Sequence, residues 1–165
     1  MAVVQKYINS ISEGIDIAFT KLVQDDVNDT AAANLLRPSM EPEQLLKYKY
    51  LLSIEGNDVA SGLKWMLLSN SVVFMAKPTK ESWAMEGLLV PYYHYIPLAP
   101  DHSDLKAKLK WARNNDDICQ RIAIQATQYM DDLCMSPKAK EETIKVHKGI
   151  MVRYHELYGK TLSSC

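Results

Sequence analysis

A chain of 165 residues, 47% hydrophobic and 24% charged, is sized for about one globular domain, and wholesale disorder is excluded. Nineteen Lys and Arg stand against 20 Asp and Glu, a formal net charge of −1, so nothing marks nucleic acid or an anionic membrane surface as a partner. No apolar run approaches the roughly 20 residues that span a bilayer, and the amino-terminal apolar stretch is too short for a secretory signal, so the chain as given reads as soluble.

In chain order, Tyr7 to Ser12 is ambiguous, and Ile15, Ile17 and Phe19 then alternate with Asp16, Ala18 and Thr20 as a short strand does. Residues 21–38 read as a loop with a short helix ending near Arg37-Pro38. Pro42 suits the first turn of a helix opened by Glu41. Tyr48 to Ile54 is an apolar run with only Lys49 and Ser53 polar, bounded by Glu55-Gly56-Asn57-Asp58; it fits a buried strand. Val59, Leu63, Met66 and Leu67 recur at helical spacing, and Ser71 to Ala76 reads as a second strand. Strands alternating with a helix imply parallel pairing, with ligands collected beyond the carboxyl ends of the strands. The Gly-Asn-Asp turn lies at such an end. It leads into a helix whose first N–H groups have no intrahelical partners, a place for phosphate with Ser61 and Lys64 one turn in. An ordinary turn capped by Asn57 or Asp58, with Lys64 solvated, satisfies the same spacing, and neither a Walker loop nor GxGxxG is present.

Lys77-Pro78-Thr79 ends the second strand at the same edge and is a candidate second wall. Glu81 to Leu89 looks like a short helix, in which Trp83 is placed to stack on a ligand ring and Glu86 to accept hydrogen bonds from sugar hydroxyls. A packing Trp and a solvated Glu are the alternatives. Tyr92 to Leu98 reads as a third strand containing His94, a satisfied strand histidine rather than a catalyst. Asp101-His102-Ser103 is no triad, because triad members meet from separate loops; Ser103 is expected to cap a helix. Leu105, Leu109 and Ala112 give that helix its apolar face, and Asn114 to Asp117 break it. Ile118, Ile122, Ala126, Tyr129 and Leu133 define a second amphipathic helix.

Ser136-Pro137 opens a last helix to about Tyr158, with Ile144, Met151, Tyr154 and Tyr158 as candidate docking residues. Asp116-Asp117 and Asp131-Asp132 are read as solvated caps and faces. Cys119 and Cys134 are read as small helix residues; with Cys165 they form neither a metal-type spacing nor a complete disulfide framework. His155-Glu156-Leu157-Tyr158-Gly159 matches a zincin motif for two residues only, since Gly159 stands where the second His ligand belongs. No metal site is expected.

KYKYLLSIEGNDVASGLKWMLLSNSVVFM, SWAMEGLLVPYYHYIPL, KLKWARNND, RIAIQATQYM and RYHELYG, in this order, resemble the carboxyl half of glycosyltransferase family 90. This CAP10-like group includes fungal capsule-associated proteins and Rumi-type protein O-glucosyltransferases. The resemblance implies an α/β, Rossmann-like lobe of a GT-B enzyme that binds a UDP-sugar and transfers a hexose or pentose with inversion to a protein or glycan acceptor, with no obligatory metal or other cofactor. Residues 1–46 would be an inter-lobe remnant, residues 47–102 the nucleotide-sugar-binding core, and residues 103–165 helices packing on it.

By the resemblance, Gly56, Asn57 and Ser61 face the donor phosphates, Ser69, Asn70 and Ser71 fall where the next strand begins, and Trp83 and Glu86 close over the donor. Many members carry Ser-Arg-Leu where this chain has Ser61-Gly62-Leu63, which leaves Lys64 as the nearest cation for the diphosphate. By the same resemblance the family's general base is expected on an acceptor lobe not matched by this stretch, so no catalytic residue is assigned. An acceptor lobe or a second copy is expected to cover an exposed lobe interface. Full-length relatives are expected in the secretory pathway. A non-catalytic binding module that keeps the fold is the alternative.

Overall fold

The computed structural model describes residues 2–21 and 34–159; residues 22–33 of the loop and helix expected over 21–38, and Cys165, lie outside them, while 34–38 form a turn and the Leu36 bridge rather than a helix end. The central element is β2, Val72–Ala76, whose first four residues are all buried. Such a run has no polar face to offer water, so both sides must be covered. β2 lies between β1, Tyr50–Leu52, and β3, Ile96–Leu98, in a parallel sheet of order β1-β2-β3. Leu51 is paired with Val73, and Phe74 faces Leu52 on one side and Ile96 on the other.

Side chains alternate across the sheet. Val72, Phe74, Ile96 and Leu98 face a cluster that includes α1, Ala2–Tyr7, and α4, Leu105–Asn114. Val73 and Met75 face the other way, toward α3, Leu63–Leu67. The long helix α5, Asp116–Met130, serves both layers. Its Cys119, Ile122 and Ala123 join the first cluster, and Ala126 and Met130 join the second. The fold is therefore α/β, with a short parallel sheet and a helical carboxyl-terminal region, as the alternation of elements predicts. Among the described residues no helix is long and apolar enough to cross a membrane.

Several boundaries differ from the sequence expectation for identifiable reasons. The alternating run at Ile15 to Phe19 yields only an isolated parallel bridge between Phe19 and Leu36. Before it, the ambiguous stretch ends α1 and makes a 3₁₀ turn, Ile11–Glu13, closed by Gly14 at φ 78°. Glycine suits this left-handed position, which other side chains rarely adopt, and the Arg113 guanidinium beside it donates to the Glu13 carbonyl at 3.1 Å. The helix expected from Val59 starts only at Leu63. The Asp58 carboxylate accepts the Val59 N–H at 2.8 Å, a local bond that competes with helix formation. The third strand loses Tyr92 to Tyr95 to a tight turn, with Tyr92 at φ 58° and its N–H bonded to the Tyr95 carbonyl at 2.7 Å.

Helix ends behave more simply. At α2, Pro42–Leu45, Glu41 and Gln44 form a reciprocal capping box. Ser103 is not the cap of α4: that position is held by Asp104, while Ser103 donates its N–H to Asp101 at 3.1 Å. After α5 a π-type turn, Asp131–Met135, leads to α6, Pro137–Tyr158, whose cap Ser136 accepts the Ala139 N–H at 3.1 Å. Two of the docking residues expected on α6, Ile144 and Met151, face solvent, while Tyr154 and Tyr158 lie with their ring centroids 5.1 Å apart. Ile144 is 54% exposed and Met151 71%, and Ala139 is the buried residue of this helix.

Candidate functional site

In a parallel sheet all strands finish at one edge, and the loops leaving β1 and β2 meet there. Glu55, just past β1, accepts hydrogen bonds from the Thr79 N–H at 3.0 Å, the Thr79 hydroxyl at 2.6 Å and the Lys80 N–H at 3.2 Å. Burial pushes the Glu55 carboxyl up, but these bonds outweigh it and hold the group below its ordinary value. The second wall expected from Lys77-Pro78-Thr79 is thus fastened to the first.

The Gly-Asn-Asp turn stands beside this tie. The Gly56 N–H donates to the Asp58 carbonyl at 3.2 Å, and Gly56, Asn57 and Ser61 are exposed. A Cβ built on Gly56 meets nothing within 4 Å, so the protein's own packing does not demand glycine there. The helix that follows has five residues and begins seven positions after Gly56, so its first N–H groups are not continuous with the turn.

Lys64 and Glu86 come together. Lys64 Nζ lies 2.9 Å from Glu86 Oε1, the lysine side chain being 15% and the carboxylate side chain 2% exposed. Glu86 is neither solvated nor open to a sugar. Its Oε1 also accepts the Ser82 hydroxyl at 2.7 Å, and its Oε2 accepts the Ser82 N–H at 2.7 Å. Burial pushes this carboxyl up, yet the bonds from Lys64 and Ser82 prevail and lower it to about 2. The helix expected over Glu81 to Leu89 is realised only as the 3₁₀ turn Glu86–Leu88, entered through Met85 at φ 49°. That left-handed residue turns the next side chain inward.

The same segment is held from the opposite side by Tyr129 of α5. Its hydroxyl lies 2.7 Å from the Ala84 carbonyl and 3.0 Å from that of Met85, a shared donation. Between these anchors Trp83 is 62% exposed, which removes the packing alternative for its indole. Ser69, Asn70 and Ser71 stand at the other edge of the sheet, where β2 begins. The Ser69 hydroxyl donates to the Met66 carbonyl at 2.6 Å, and that of Ser71 to the Tyr48 carbonyl at 2.7 Å. Both serines are buried, and Asn70 is exposed.

Glu55, Ser82 and Tyr129 were not singled out for the site by sequence. Glu55 reads as part of a turn, and Tyr129 belongs to an apolar stripe that conceals the use of its hydroxyl. Ser82, four residues before Glu86, is the pattern a reader could have found. His94 is structural as expected: its Nδ1 accepts the Val90 N–H at 2.9 Å, and burial pushes its pKa down. Among the described residues, no three His, Cys, Asp or Glu side chains are grouped to hold a metal.

Fold and edge together define an α/β protein whose candidate site is built from loops leaving a parallel sheet. The model of glycosyl transferase family 90 matches residues 9–140, most of the chain, and the chain belongs to that family. It is 39% identical over 101 residues to the O-glucosyltransferase LpsA of Dichelobacter nodosus, covering 61% of this chain and 32% of that protein. To Protein O-glucosyltransferase 3 of Rattus norvegicus it is 34% identical over 93 residues, covering 56% and 18%. Uncharacterized protein 179R of Invertebrate iridescent virus 6 is 34% identical over 120 residues, covering 69% and 10%. The chain spans about a third or less of the length of these relatives.

Proposed function

We propose that this chain is the UDP-sugar-binding portion of an inverting glycosyltransferase that transfers a hexose or pentose to a protein or glycan acceptor. The observation that carries the reading is the carboxyl edge of the sheet, where Glu55 joins the two loops beside the exposed Gly56–Asn57 turn. In this reading the Asn57 N–H and the Ser61 hydroxyl meet the donor diphosphate, and Gly56, whose own N–H donates to the Asp58 carbonyl at 3.2 Å, supplies the room for its approach. Backbone N–H groups suit anionic oxygens, and a glycine without a packing role leaves room for close approach. Trp83 offers its exposed face to a ring of the donor. Buried and bonded to backbone, Ser69 and Ser71 support the start of β2, with Asn70 exposed between them. The charge developing on the departing UDP is met by these donors without an obligatory metal or other cofactor.

An inverting transfer needs a base to deprotonate the acceptor hydroxyl. No described residue is assigned that role, and it belongs to an acceptor lobe. The exposed apolar side chains of α6 suit contact with such a lobe or with a second copy. Calorimetric titration with UDP tests the reading: saturable one-site binding is expected, with little turnover of a UDP-sugar by this chain. Absence of binding at millimolar UDP would contradict it. A second reading, a non-catalytic module that keeps the fold, is favoured by one observation: Lys64, the cation expected to face the diphosphate, is committed to Glu86. Coding sequence for an acceptor lobe upstream in the same frame would remove that reading.

A further inference from the structure

We propose that Lys64 and Glu86 act as a latch that holds segment 82–88 on the sheet edge, making Lys64 a positioning residue for the donor site rather than a ligand of the diphosphate. The consequence for the donor rests on the function proposed above; the latch itself rests on geometry. Five contacts and one backbone bend converge on seven residues. Lys64 reaches Glu86 Oε1 from α3 at 2.9 Å. Ser82 closes the segment on Glu86 through its N–H and its hydroxyl. Tyr129 reaches the Ala84 and Met85 carbonyls from α5. Met85, in the left-handed region, is the bend that lets Glu86 point in while Trp83 points out.

Lys64 therefore has a partner that it cannot leave cheaply. Removing one member of a buried pair strands the other charge away from water, and Glu86 is 1% exposed. A lysine meets a diphosphate as a point charge without the bidentate geometry of arginine. Exchanging Glu86 for phosphate would trade an ordered, desolvated contact for a looser one at a more open position. The pair links residues 22 positions apart, on the helix that follows the Gly-Asn-Asp turn and on the segment that carries Trp83. The latch thus couples α3 to the segment that carries Trp83: what holds Lys64 also fixes where the indole stands.

Hydrogen exchange of the purified chain reads the latch directly, because the Ser82, Ala84, Met85, Leu88 and Leu89 N–H groups all have native acceptors within or next to the segment. Lys64→Met is expected to accelerate exchange at these amides about ten-fold or more while the α4 amides keep their rates, and Lys64→Arg is expected to restore protection. Glu86→Gln and Tyr129→Phe keep side-chain shape and carry the same comparison should Lys64→Met fail to fold. Calorimetry with UDP on the same proteins separates the roles. Lys64→Met and Glu86→Gln should lose UDP affinity by similar factors, with a similar loss of any UDP-dependent change in Trp83 fluorescence, assigned against Trp83→Phe.

Unchanged protection of segment 82–88 in Lys64→Met, with UDP affinity lost in that variant but not in Glu86→Gln, would overturn the latch and make Lys64 a direct ligand. Lost protection with unchanged UDP affinity would overturn the positioning role. Failure of the parent protein to bind UDP would overturn the donor reading and this consequence together, with the exchange rates still deciding the latch.

Discussion

Glu86 is a carboxylate that water barely reaches, and the bonds around it set its response to acid. Its folded-state pKa of about 2 lies below the ordinary 4.5, so its contribution to stability is fully present above about pH 4.5 and is lost as the pH falls toward 2. A separation of this size corresponds to about 3 kcal/mol at neutral pH. Glu86→Gln is therefore expected to lower the urea midpoint clearly at pH 7, with a much smaller difference from the parent near pH 2.5. An equal difference at both values would contradict the assignment. Trp83 behaves in the opposite way. With its indole largely in solvent, Trp83→Ala should change stability by no more than about 0.5 kcal/mol, checked by urea denaturation, while UDP affinity falls. The exposure of Trp83 was one of two readings open in the sequence. The burial of Glu86 was not legible, because a lone carboxylate in a short segment carries no sign of a lysine 22 positions earlier that folding brings beside it.

At the scale of elements, the sheet hangs on β2. Phe74 lies in the buried cluster to which α1 and α4 also contribute, in edge contact with the Tyr50 ring at 5.5 Å between centroids. Phe74→Ala removes a buried ring from the centre of that layer and should cost about 3–5 kcal/mol, read as a lower melting temperature. Ser136→Ala should cost about 1 kcal/mol through the lost cap of α6, visible as fraying of its first turn in amide exchange.

These elements were legible to different degrees for physical reasons. The apolar run of β2 and the 3.6-residue periodicity of α4 and α5 reflect burial that local sequence records directly. Strand ends at Tyr92 and Phe19 depend on partners elsewhere, so alternation overstated them. The apolar side chains of α6 show a face without naming what covers it, and among the described residues Ile144 and Met151 remain in solvent.

At the scale of the whole molecule, a family-90 chain that spans about a third or less of its relatives presents one edge of a parallel sheet with its loops already tied together. Loops joined by Glu55, and a Trp83 segment anchored to α3 and α5, would hold the site in shape before a ligand arrives and so lessen the ordering cost of binding. Light scattering bears on the exposed α6 face. Concentration-dependent association is expected, and weakening of that association in Met151→Lys would attribute it to this helix, whereas a monodisperse monomer at all concentrations would contradict it.

The donor site itself is tested most directly at Gly56, where a Cβ meets no neighbouring atom and an added methyl would intrude only on a ligand. Gly56→Ala should match the parent in its urea midpoint and lose at least about ten-fold in UDP affinity by calorimetry, equivalent to about 1.4 kcal/mol. Equal UDP affinity in the two proteins would contradict the placement of the diphosphate at this turn.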